Sequence, residues 1–158
     1  MVRIAVSGHR SLPEETAVLI DRAICEALAD YLPDICGLSC LADGADQIFA
    51  RGVLAVGGAL EAVIPAKEYR DGLPRECHAA YDELLGRAIR THRLDFVEST
   101  SESHMTASAR MLDDADVLFA VWDGQPARGY GGTADVVAEA RRRKVPVRVI
   151  WPEGARRD

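Results

Sequence analysis

The chain lacks the features that mark several large function classes. Its 158 residues carry 19 Lys and Arg against 25 Asp and Glu, a formal net charge of −6. The clustered basic surface that holds duplex DNA or RNA is therefore missing, since that affinity rests on concentrated Lys and Arg. Its one basic run, Arg141-Arg142-Arg143-Lys144, falls in the last turn of a predicted helix, where cations complement the dipole. The expectation is a chain with no nucleic-acid partner. No apolar run approaches membrane-spanning length, and no basic leader precedes a signal-like segment. A cytoplasmic protein without a membrane partner is expected. The four cysteines, Cys25, Cys36, Cys40 and Cys77, show no C-x-x-C spacing, which suits reduced, mostly buried thiols. Cys77-His78 has no second ligand pair at zinc-site spacing, so neither a metal nor another cofactor is expected.

What is present is a chain that is 48% hydrophobic with no linker-like stretch, which predicts one domain over residues 1–158. Apolar runs predict strands at 2–7, 35–38, 60–64, 94–97, 117–122 and 145–150. Helical spacing predicts helices at 13–31, after the turn at 41–46, and at 76–89, 103–114 and 133–144. Strands apolar on both faces and alternating with helices imply an α/β fold. It should be a three-layer, Rossmann-like arrangement: a mainly parallel sheet with helices on both faces.

Ligands of such sheets lie beyond the carboxyl ends of the strands, and polar residues collect there. The Gly-rich stretch Gly129-Tyr130-Gly131-Gly132-Thr133-Ala134-Asp135 joins the fifth strand to the last helix. A turn of that kind presents unpaired N–H groups at the positive end of a helix dipole, which suits a phosphate. The spacing of Gly129, Gly131 and Ala134 also satisfies G-x-G-x-x-A. That dinucleotide fingerprint belongs in the first β-α turn, whereas this one follows the penultimate strand. A P-loop is excluded because no Gly-Lys-Ser/Thr follows the turn.

Three further loops supply candidates. Ser7-Gly8-His9-Arg10 follows the first strand, with Arg10 suited to a phosphate and His9 to proton transfer. Asp43, Gly44 and Asp46 open the second helix, where capping accounts for at least one carboxylate. Lys67 and Tyr69 follow the third strand. Arg128 stands just before the Gly-rich turn, and His104 and Arg110 lie on the helix that precedes the fifth strand. Asp135 suits the dipole of the last helix, yet beside a bound phosphate it makes more sense contacting a sugar.

Taken together, Ser7-Gly8-His9-Arg10, the stretch Gly37-Leu38-Ser39-Cys40-Leu41-Ala42-Asp43-Gly44-Ala45-Asp46, Ala115-Asp116 and Gly131-Gly132-Thr133 resemble the SLOG superfamily. That superfamily unites LONELY GUY phosphoribohydrolases, the DNA-processing protein A family and nucleotide-sensing domains. The resemblance spans nearly the whole chain. It implies a nucleotide-binding protein with Gly131, Gly132 and Thr133 on the phosphate, assisted by Arg10 and Arg128, and it implies a homodimer. For the hydrolase branch it implies cleavage of the N-glycosidic bond of a nucleoside 5′-monophosphate. Asp135 would then stand in for the family's Glu. The family's helical Arg falls at Ala107, leaving Arg110, about one helical turn away, as the catalytic partner. The other branch implies a non-catalytic sensor of an ADP-ribose-like or cyclic nucleotide.

Overall fold

The computed structural model describes residues 1–157. Six strands, β1 (Val2–Gly8), β2 (Ile35–Ser39), β3 (Ala59–Ala66), β4 (Arg90–Phe96), β5 (Val117–Val121) and β6 (Val147–Val149), alternate with five helices. These are α1 (Glu14–Ala29), α2 (Ala45–Ala55), α3 (His78–Arg87), α4 (Ser101–Asp114) and α5 (Thr133–Arg142). Every strand pair is parallel, in the order β4-β3-β2-β1-β5-β6. The α/β, Rossmann-like architecture expected from the alternating pattern is thus present.

The side-chain period of two in β1 sends Ile4 and Val6 into one core and Ala5 into another. The first core joins them to Ile20, Ile24 and Leu28 of α1 and to Ile48, Phe49 and Val53 of α2. The second joins Ala5, Leu118 and Ala120 to Ala107 and Met111 of α4 and to Val136, Val137 and Ala140 of α5. The sheet is therefore covered on both faces, and its central strands β2 and β5 are buried at every position.

Most differences from the sequence expectation lie at element ends. The strand expected at 94–97 runs over Arg90–Phe96, its early part masked by Arg90, His92 and Arg93 on a half-exposed edge. Its inner side chain His92 bonds Glu61 on β3 through Nε2 at 2.9 Å. The helix expected from 103 starts at Ser101. Thr100 Oγ1 accepts the Ser103 N–H at 3.1 Å and Ser103 Oγ accepts the Thr100 N–H at 2.9 Å, a reciprocal cap that fixes the boundary. The strand expected at 60–64 runs on through Pro65, which is tolerated next to its end, where the pairing with β4 shifts register.

The topology selects the site. Beginning at β1, the chain winds outward to β4 and then returns to place β5 on the other side of β1. The strand order reverses between β1 and β5, so the loops leaving those two strands diverge and open a crevice at their carboxyl ends.

Candidate functional site

A cavity of about 360 Å³ occupies that crevice, within the range of small-ligand pockets. Its walls come from six places in the chain. The β1 end supplies Ser7, Gly8, His9, Arg10 and Ser11; the turn into α2 supplies Cys40, Ala42 and Asp46; and the β3 end supplies Pro65 and Tyr69. Helix α4 contributes His104, Ser108 and Met111, and the Gly-rich loop contributes Arg128, Gly131, Gly132 and Thr133. Arg157, from the segment beyond β6, completes the lining.

The β1 loop is held from behind. Asp43, 4% exposed, accepts Arg10 Nε–H at 2.8 Å on Oδ1, and Oδ2 accepts the Ser11 N–H at 3.0 Å. The guanidinium is thereby oriented while its side chain stays 43% exposed. Gly44 has φ +83°, and a Cβ there would lie 2.6 Å from the His9 carbonyl oxygen. Only glycine allows α2 to begin this close to the β1 loop, a contact sealed by the Ala45 N–H donating to that same carbonyl at 3.2 Å. Asp43 and Gly44 do not line the cavity; they face a neighbouring groove and brace its wall.

His9, 3% exposed, joins the two diverging strands. Its Nε2 accepts the Asp123 N–H at 3.1 Å and lies 3.2 Å from Asp123 Oδ1, and its ring meets Trp151 edge-on at 5.4 Å. Burial, reinforced by Arg157, lowers its pKa against the opposing pull of Asp123. The neutral tautomer with the proton on Nδ1 fits the backbone bond. This histidine ties the loop after β1 to the loop after β5.

The Gly-rich loop ends in α5, whose first turn holds Thr133 and Ala134. N–H groups in a first turn have no helical acceptor and point along the positive end of the dipole. Gly131 takes φ +88°, and a Cβ there would crowd the Ser101 carbonyl oxygen at 3.0 Å, so the loop lies close against the start of α4. Asp135 accepts the Gly131 N–H on Oδ2 at 2.9 Å, closing the turn from within. It does not line the cavity.

Arg110 is also outside the lining. It donates to Asp114 Oδ2 at 2.6 Å in an i,i+4 pair on the solvent side of α4. Ala107, where the resemblance would put an arginine, is fully buried against the sheet. The structure therefore gathers Ser7, Gly8, His9, Arg10, Asp46, Arg128, Gly131, Gly132 and Thr133 around one space. It leaves Asp43 and Gly44 behind the wall, and Asp135 and Arg110 off it.

Arg157, Ser108 and Met111 are among the lining residues not singled out in the sequence. Arg157 reaches the cavity because Thr16 on α1 bonds both the N–H and the C=O of Arg156 at 3.0 Å, pinning this segment beside β1. No local pattern signals such a contact. Ser108 and Met111 read as ordinary helix positions until α4 is packed. Tyr69 and His104 meet edge-on at 5.5 Å, and His104 Nε2 is 2.7 Å from Ser99 Oγ. Burial, with Arg10 nearby, lowers the pKa of His104. Burial raises those of Tyr69 and Cys40 well above their ordinary values. The cavity thus combines three guanidinium groups and a helix N-terminus with one buried carboxyl, Asp46. Among the described residues, no cluster of His, Cys, Asp and Glu fits a metal ion, and no helix is long and apolar enough to cross a membrane.

Fold and site together define a parallel-sheet protein with an arginine-lined pocket at its topological switch point. No family model matches the chain, and no curated protein matches it. Solved structures share its fold. DNA processing protein A from Streptococcus pneumoniae superposes with a TM-score of 0.69 at 16% identity, covering 98% of this chain and 52% of that one. DNA processing protein A from Helicobacter pylori gives 0.69 at 15% identity, over 98% and 67%. A molybdenum cofactor binding protein from Rippkaea orientalis gives 0.60 at 14% identity, over 94% and 75%. The chain spans about half the length of the pneumococcal protein.

The Helicobacter pylori structure was solved to describe single-stranded DNA binding. That finding corrects the expectation of no nucleic-acid partner. A net charge of −6 is a whole-chain sum, and it says nothing about a fold that concentrates Arg10, Arg128 and Arg157 in one crevice. Single strands are held by local grooves and stacking surfaces, not by the net charge of the protein.

Proposed function

We propose that this protein is a SLOG-type nucleotide-binding protein that holds its ligand by the phosphate in the β1/β5 crevice. Thr133 supplies a first-turn N–H donor, Gly131 and Gly132 hold the loop that shapes the cradle, and Arg10, Arg128 and Arg157 stand around it. One observation carries the reading: three arginines distant in sequence and the N-terminus of α5 converge on one 360 Å³ cavity of an acidic chain. Fixed N–H donors and guanidinium groups in a partly desolvated cleft favour a phosphate over a neutral ligand. The phosphate belongs either to a free nucleotide or to a unit of a single strand.

The geometry supports binding better than N-glycosidic hydrolysis by Asp135 and Arg110. Asp135 is engaged by the Gly131 N–H and Arg110 by Asp114, and neither borders the space where a sugar would sit. A reacting group must come within hydrogen-bond reach of its substrate.

The test is a melting-temperature screen with AMP, GMP, CMP, ribose 5-phosphate and short single-stranded oligonucleotides, followed by chromatography for released base. A ligand at 100 times its Kd stabilises by about 2.7 kcal/mol, or about 5–10 °C for a chain of this size. Arg10→Ala is expected to remove the shift. No stabilisation by any phosphorylated ligand overturns the reading. Release of free base by the wild type, abolished in Asp135→Asn, overturns its non-catalytic part.

A further inference from the structure

Opposite the phosphate cradle the cavity has a polar wall that phosphate binding does not use. Asp46, in the first turn of α2, is 8% exposed, and its Oδ2 accepts the Ala42 N–H at 3.3 Å. Its Oδ1 takes no hydrogen bond within the described residues. Tyr69, just past β3, is 4% exposed, and its hydroxyl also has no partner there. Neither atom is sealed in, because among the described residues no fully enclosed side-chain N or O lacks a hydrogen bond. Both atoms therefore open onto the cavity that their residues line. Two polar atoms on residues more than nine-tenths buried, each without a partner among the described residues, leave a desolvation cost that a ligand can offset.

The placement and the rest of this wall narrow the ligand. The phosphate cradle follows β5, Asp46 follows β2 and Tyr69 follows β3, in a sheet ordered β3-β2-β1-β5. Three inter-strand spacings of about 4.8 Å separate the ends of β5 and β3, about 14 Å in all. An isolated phosphate cannot touch both ends; a nucleotide laid across the strand ends spans them. Cys40, Pro65 and Met111 add apolar surface around Asp46 and Tyr69. That mixture suits a flat heterocycle with a few polar edge atoms better than a polyhydroxylated sugar.

We propose that Asp46 and Tyr69 form the base-recognition end of the cavity, selecting a nucleobase that presents an N–H donor to Asp46 Oδ1. This inference rests on the phosphate reading above. Asp46 is the acceptor that the N–H requires, and the Tyr69 hydroxyl either donates to or accepts from the neighbouring edge atom. Arg10 from the β1 loop, Asp43 and Cys40 from the β2 end, and Tyr69 itself are the charged or titratable groups that act on Asp46. His104 of α4 stands beside them, its ring edge-on to Tyr69 at 5.5 Å. Burial pushes the Asp46 pKa up to about 7, so an N–H donor competes with a proton for this carboxyl near neutrality.

Calorimetric titration at pH 8 tests the assignment with AMP, GMP, purine riboside 5′-phosphate and ribose 5-phosphate. Purine riboside 5′-phosphate keeps the ring system but offers no base N–H. The tighter of AMP and GMP is expected to bind about 10–100-fold better than it, the worth of a hydrogen bond to a charged group. In Asp46→Asn the amide oxygen can keep the Ala42 bond while the amide nitrogen replaces the acceptor facing the cavity. That variant is expected to bind all three nucleotides within about threefold of one another, with ribose 5-phosphate affinity unchanged. Lowering the pH to 6 should shrink the wild-type ratio and leave the variant's ratio unchanged. Taking ratios cancels the ionisation of the phosphate itself.

The proposal is overturned if purine riboside 5′-phosphate matches AMP and GMP in the wild type, or if Asp46→Asn keeps the preference. Tight nucleotide binding with no measurable affinity for ribose 5-phosphate, and none lost in Arg10→Ala, removes the phosphate reading while the base subsite stands. Absence of all binding removes both.

Discussion

Replacing Asp46 by Asn separates the cost of burying a carboxyl from whatever the carboxyl is for. Burial moves its pKa from an ordinary 3.8 to about 7, opposed by the Ala42 N–H and Arg10 and assisted by Asp43. Because the folded value is raised, the stability linked to this group is fully present below about pH 3.8. It is lost progressively as the pH rises to about 7 and stays lost above that. Roughly three pKa units at about 1.36 kcal/mol each make about 4 kcal/mol an upper bound on the loss. Asparagine carries no charge to desolvate and can still accept the Ala42 N–H. Asp46→Asn should therefore match the wild type near pH 4, gain on it between pH 4 and 7, and lead by a constant margin above. For a chain of this size the full margin corresponds to about 8–16 °C in Tm. Scanning calorimetry of the ligand-free proteins at unit pH steps from 4 to 8 measures it. A difference that does not depend on pH, or a variant destabilised most at pH 8, refutes the reasoning. A stability gain joined to a loss of base preference would mark Asp46 as a group kept for binding at the expense of the fold.

Three further outcomes follow from named contacts. Glu61, 2% exposed on β3, accepts from Arg3 Nη1 and Nη2 at 2.9 and 3.2 Å and is bonded by His92, and Arg3 above all holds its pKa down at about 2. Glu61→Gln should cost about 3–5 kcal/mol at pH 7, because it strands the Arg3 charge. The folded value is lowered, so this contribution is present above about pH 4.5 and fades as the pH falls toward 2; a gap in urea midpoint that widens on acidification would contradict it. Gly44→Ala should lose about 1–3 kcal/mol through its positive φ and the clash with the His9 carbonyl, and it should weaken AMP binding by displacing Arg10. Unchanged stability and affinity together would show that the β1 loop is not wedged against α2. Asp135→Ala should cost about 1 kcal/mol by freeing the Gly131 N–H, read from the shift of the urea unfolding curve; no shift would remove Asp135 from the brace of the loop.

The alternation of apolar strands with amphipathic helices was enough to read the sheet, its parallel sense and the position of each helix. The all-buried runs of β2 and β5 are the pattern that a doubly covered sheet imposes. Boundaries were read less well wherever tertiary contacts set them. The early half of β4 is charged because it lies at an edge, with His92 spent on Glu61. The start of α4 depends on which hydroxyl in Ser99-Thr100-Ser101 becomes the cap. Periodicity does not carry either fact.

The site was legible in its backbone and less so in its side chains. Glycines reveal where a chain bends or approaches closely, so Gly44 and Gly131 marked two walls of the cavity from sequence alone. Carboxylates are ambiguous, because the same residue type serves a cap, a clamp or a ligand. Asp43, Asp46 and Asp135 all stand at helix starts, yet one orients Arg10, one opens onto the cavity and one closes its own loop. What separates them is burial and the direction of the remaining lone pairs, and both exist only after folding. The same logic explains the error over nucleic acid. Charge summed over 158 residues describes the average surface, whereas affinity is set by the few residues that folding brings within a ligand's reach. Thr16 gripping the backbone of Arg156 and Asp43 gripping Arg10 help place two guanidinium groups in one cavity from opposite ends of the chain. An acidic protein acquires a cationic site in this way without drawing on the one basic run in its sequence, residues 141–144.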